Sequence, residues 1–108
     1  MDVNGPDMFK SIYKILTALE KSLDVEEFDI KLIDHEALKI SKTRWIAYME
    51  MLIDEGYIKG YQIKHSIYGE TMTSGRPMIT LKGMEYLQEN SIMQRMYNAA
   101  KGIVEIIK

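Results

Sequence analysis

The sequence predicts a mostly helical α+β fold, a winged helix-turn-helix with a β-hairpin wing and an additional C-terminal helix, and three observations carry that prediction. The first is the stretch ISKTRWIAYMEMLIDEGYI, residues 40–58, a helix with both ends written locally. Ser41 can accept from the free backbone N–H groups of the first turn, and Gly56 can close the helix in the left-handed conformation. The second is a short helical piece before it, residues 35–39, which meets the longer helix at a tight connection through Ile40 and Ser41. The third is a change of period after Gly56, where helical spacing gives way to strand-like alternation. A helix of this kind reads the major groove of DNA in many winged-helix complexes, so duplex DNA is the first partner expected.

Length and composition bound the alternatives. A chain of 108 residues suits one domain, here 7–108 after a flexible leader at 1–6, and buries about two-thirds of its unfolded surface without staples. A hydrophobic fraction of 46% with only 2 prolines describes a folded globule, and no apolar run approaches the length of a membrane span. The absence of cysteine excludes disulfides, thiolate zinc sites and cysteine nucleophiles, which fits the reducing cytoplasm; no secretory pattern opens the chain. The balance of 14 basic against 16 acidic residues weighs against nucleic acid, whose binders are usually basic overall or on one face.

Along the chain, Met8, Ile12, Ile15, Leu16, Leu19 and Leu23 stripe a first helix over 7–22. Residues 24–29 hold carboxylates at Asp24, Glu26, Glu27 and Asp29 and lead to a short apolar piece, 30–33, expected as a small edge strand. Asp34 caps the short second helix, with Ile33 and Leu38 as its hydrophobic staple. In the central helix, Ile40 and Trp45 hold the staple positions, and Leu52 and Tyr57 flank Gly56 at the spacing of a Schellman contact. Trp45, Met49, Leu52 and Ile53 face inward, leaving Thr43, Arg44, Ala47, Glu50, Met51 and Asp54 outward. A strand over 57–67 follows, with Tyr61, Ile63 and Ile67 on one side, then a hairpin tip at 69–75 and a return over 77–81. Thr80 caps the next helix, stapled by Ile79 and Met84, with Leu81, Met84 and Leu87 as its apolar face to about Asn90. Ser91 and Gln94 form a capping box for a final helix over 91–107.

The stretches EMLIDEGYIKGYQI at 50–63 and ITLKGMEYLQENSIMQRMY at 79–97, with DVEEFDI at 24–30, resemble the YjcQ family of small bacterial and prophage proteins. The resemblance spans nearly the whole chain after the leader and is weakest in the wing, 67–77. It implies a winged-helix fold; it implies no biochemical activity and no functional residues.

The candidate DNA contacts are Lys42, Thr43, Arg44 and Ala47 in the major groove, with Lys39, Lys64 and Arg76 on backbone phosphates and His65 beside them on the wing. Glu50 and Asp54 share the outward face one and two turns later and repel phosphates, so only the first turn or two of that helix can approach closely. Taken singly, each of these cations is an ordinary solvated side chain. A homodimer is expected on either reading; the alternative to DNA binding is an interaction module, a homodimer or a docked phage or host protein, built on the final helix. There Met93, Met96, Tyr97, Ala100, Ile103, Val104 and Ile107 supply an apolar stripe of about four turns, part of it available to pack on the first helix.

Catalysis has little support. His35 and His65 stand in no metal-binding spacing, and Ser41, Ser74 and Ser91 lie at helix starts or turns without a nucleophile elbow. The carboxylates of 24–29 lack the ligand order of a calcium loop. No metal, cofactor or small-molecule ligand is expected.

Overall fold

The computed structural model describes residues 8–90, so the expected leader and the final helix with its apolar stripe lie outside the described residues. Helix α1, Met8–Lys21, turns Ile12, Ile15, Leu16 and Leu19 inward, each buried, as their three- and four-residue spacing requires. Leu23 does not continue that stripe. The helix gives way to a 3₁₀ turn, Ser22–Asp24, where the Ser22 hydroxyl donates to the Leu19 carbonyl at 2.6 Å, and Leu23 is left 42% exposed.

Residues 30–33 correct the expected edge strand. Ile30–Leu32 form a second 3₁₀ turn, because the Asp29 carboxylate accepts from the Lys31 amide at 3.0 Å and so offers the backbone a turn instead of a ladder. Ile33 ends this turn fully inside the core, and its carbonyl accepts from the Trp45 indole N–H at 2.6 Å. Helix α2, His35–Leu38, is capped by Asp34 as expected, the carboxylate accepting from the Ala37 amide at 2.9 Å.

Helix α3, Lys42–Asp54, starts and stops where its sequence says. The Ser41 hydroxyl accepts from the Arg44 amide, and at the far end Tyr57 N–H bonds the Leu52 carbonyl while Gly56 N–H bonds that of Ile53, the two bonds of a Schellman motif. Trp45, Met49 and Leu52 are buried, and so are Ile46 and Tyr48, which widens the inward face beyond the expected stripe.

Strands β1, Ile58–His65, and β2, Thr71–Ile79, form one antiparallel hairpin. The turn closes at 66–70, so Thr71 to Gly75 belong to the strand and not to the tip, and Ile67, expected on the buried side, is 91% exposed at the apex. Near the base the register shifts between Lys59 and Tyr61. Gly60 and Gly75 both hold positive φ there and pass so close that a Cβ on Gly75 would run into the Gly60 carbonyl. The break lets Ile58 and Tyr61, three positions apart, both point into the core.

Helix α4 is described over 81–90. The Thr80 hydroxyl accepts from the Gly83 amide at 3.1 Å and donates to the Gly56 carbonyl at 2.5 Å, tying this helix to the end of α3. Met84, Leu87 and Tyr86 pack on the core, whereas Leu81, expected on that face, is 79% exposed in the first turn. Tyr86 stacks at a tilt on Tyr57, ring centroids 5.3 Å apart; burial, and then the Tyr57 phenol, raise its pKa above the ordinary tyrosine value. No described helix is long and apolar enough to cross a membrane.

The core thus joins α1, Ile33, α3 and the base of the hairpin in one cluster around Trp45, Met49 and Leu52. Trp45→Phe keeps most of the ring but removes the donor from a buried carbonyl. It is expected to lower the unfolding free energy by about 2 kcal/mol, read as an earlier urea midpoint; an unchanged midpoint contradicts the role given to this bond.

Candidate nucleic-acid interface

The surface in question begins where two helices meet. Lys39 ends α2 in the left-handed conformation, φ 60°, the one described residue other than glycine with positive φ. That reversal lets the Ile40 amide bond the His35 carbonyl at 3.0 Å and sends the chain directly into the Ser41 cap. Lys39, Lys42 and Arg44 are consequently gathered around the N-terminal end of α3, all exposed. None of the three takes part in an ion pair among the described residues. The unpaired N–H groups of the first turn add a partial positive charge at the same end.

From there the side chains part. Lys42, Thr43 and Ala47, with Ile46 and Glu50, make one wall of an open groove of about 920 Å³, and the wing makes the other with His65, Gly69, Glu70, Thr71 and Met72. Arg44 lies around the helix from that groove; its guanidinium sits 5.9 Å from the centre of the Tyr48 ring and donates to the Tyr48 hydroxyl at 3.2 Å. Lys64 is exposed on β1 and borders a smaller depression with Glu50, Ile53, Asp54 and Gln62.

Inside the groove the charge is mixed. Glu50 stands one turn beyond Ala47 and meets His65 of the wing, Oε2 to Nε2 at 2.7 Å, while the other ring nitrogen of His65 lies 3.3 Å from the Thr71 hydroxyl. This contact ties the ribbon to the middle of α3, and a protonated His65 would offset the Glu50 carboxylate. Sequence spacing gave no sign of it, because positions 50 and 65 lie on different elements whose relative placement depends on the hairpin's register.

Arg76, expected on the wing as a phosphate contact, is turned to the segment that follows α1, where its guanidinium donates to the carbonyls of Ser22, Val25 and Glu26 at 2.5–3.2 Å. Its Nε is buried without a partner. The physical reason is placement: the base of β2 packs against α1, which brings Arg76 beside the backbone carbonyls of the turn that follows that helix. Its three acceptors lie 50 to 54 positions upstream, out of reach of any local pattern.

A short helix, a tight turn, a capped longer helix and a β-ribbon packed on one core define the scaffold as a winged helix. The model of the YjcQ protein family matches residues 13–106, and the chain belongs to that family. No curated protein and no solved structure matches significantly.

Arg76→Ala is expected to cost about 2 kcal/mol of stability, since it strips a charged donor from three carbonyls, the one of Ser22 part-buried, and to leave any duplex affinity of the folded protein unchanged. Thermal unfolding alongside a binding titration checks both halves.

Proposed function

We propose that the protein is a non-catalytic, cytoplasmic winged-helix protein that binds duplex DNA, meeting it end-on with the first turn of α3. The observation that carries this reading is the gathering of Lys39, Lys42 and Arg44, exposed and without ion-pair partners among the described residues, at the positive end of a capped helix. Thr43 and Ala47 stand beside them, small enough to let the backbone approach base edges. In helix-turn-helix complexes it is the N-terminal part of the recognition helix that contacts the bases. Glu50 and Asp54 fix how far that contact extends: a duplex lying along the whole helix would bring phosphates to both carboxylates, whereas an end-on approach leaves them behind.

With few phosphates neutralised, affinity on random sequence is expected to be modest and to fall with salt at a shallow slope, about one unit per phosphate contact. Lys42→Ala and Arg44→Ala should each weaken binding of a random duplex and lower the log–log salt slope by about one unit, measured by fluorescence anisotropy at two salt concentrations. Binding unchanged in both variants would remove these side chains from the role. A scaffold serving only protein contacts predicts no salt-dependent duplex affinity at all.

A further inference from the structure

We infer that the wing tip, Ile67 and Tyr68, is an apolar wedge that enters the minor groove of the duplex held by α3; this rests on the DNA-binding reading above. The two residues are 91% and 85% exposed, side by side at the apex of the hairpin. The apex is held closed. Ser66 N–H donates to the Glu70 carbonyl at 2.7 Å, Gly69 N–H to the Ser66 carbonyl at 3.1 Å, and Tyr68 N–H to the Ser66 hydroxyl at 2.9 Å. A turn of this kind is ordinarily filled with polar residues, whose backbone preferences and solvation it suits. Here a β-branched alkyl group and a phenol ring extend beyond the last strand pair, and neither belongs to the core.

The chemistry of the tip limits what it can hold. From Ser66 to Gly75 the chain reads SIYGETMTSG, with no lysine or arginine and one carboxylate, Glu70. Phosphates are therefore not the target. An aromatic face next to a branched alkyl group is the chemistry of a side chain that slips between base steps and unstacks them. Position selects the duplex as its occupant: Gly69 and Glu70 line the same groove as Lys42 and Thr43, so DNA seated on the start of α3 runs past the apex. Pyrimidine–purine steps, which unstack most readily, are the ones the wedge should prefer, and that preference would add sequence selectivity without any base-edge hydrogen bond.

The test uses the full chain and a duplex with 2-aminopurine beside a central TA step, with an A-tract duplex of equal length as control. The wild-type protein should raise the 2-aminopurine fluorescence and bind the TA duplex more tightly than the control. The double variant Ile67→Ser/Tyr68→Ser should abolish the rise and bind roughly tenfold more weakly, a loss in the range of one base–aromatic stack. Its salt slope and thermal unfolding should stay unchanged, and Tyr68→Phe should behave as wild type. Wild-type binding with no fluorescence rise, and equal affinity in the double variant, overturns the wedge and leaves the α3 reading standing. No binding of any duplex by the wild type at low salt overturns both.

Discussion

The bond from the Trp45 indole to the Ile33 carbonyl holds α3 against the segment that precedes it, and the rest of the molecule is arranged around that attachment. A buried carbonyl at the end of a 3₁₀ turn needs a donor, and a buried indole needs an acceptor. Each satisfies the other at 2.6 Å, inside a cluster that includes residues of α1, α3 and both strands. With Trp45 fixed inward, helical geometry leaves Thr43, Arg44 and Ala47 outward, and the left-handed Lys39 brings the end of α2 up to the same corner. The exposed corner is therefore a consequence of the core, and substitutions that loosen the core around Trp45 disturb it from a distance.

The wing is attached twice, by different chemistry. At its base, the close pass of Gly60 and Gly75 shifts the register so that Ile58, Tyr61 and Ile79 enter the core, and Arg76 clamps the end of α1. Further out, His65 meets Glu50 of α3. Beyond that point the ribbon contributes no residue to the core among the described residues, and Ile67 and Tyr68 at its apex are exposed. A rigid base with a projecting tip lets one element contribute to stability and, at its other end, to contact with a partner.

Local signals in the sequence were sufficient for the ends of most of the described helices. Ser41, Asp34 and Thr80 cap where their side chains and spacing say, and the Schellman closure at Gly56 follows from Leu52, Gly56 and Tyr57 alone. What escaped was settled by contacts between distant residues or by competition within a turn. Residues 30–33 have the composition of a strand, yet Asp29 and the Trp45 donor made them a 3₁₀ turn. Ile67 fits the alternation of β1, but Ser66 and Gly69 close the hairpin before it. Arg76 belongs by type to a phosphate-binding set and by position to the cap of another helix. Of the candidate contact residues, the structure brings Lys42, Thr43 and Ala47 to one groove wall, keeps Lys39 and Arg44 at the same helix end, and sets Lys64 apart on the ribbon.

The central claim is that the beginning of α3, and not its length, is what a duplex meets. Backbone amide chemical shifts, followed as duplex DNA is titrated into the isotope-labelled protein, test it residue by residue. The account predicts perturbations concentrated at 39–47 and at the wing apex, 66–70, with the second half of α3 little changed. Perturbations running through Glu50 to Asp54, or confined to α1 and α4, would contradict it.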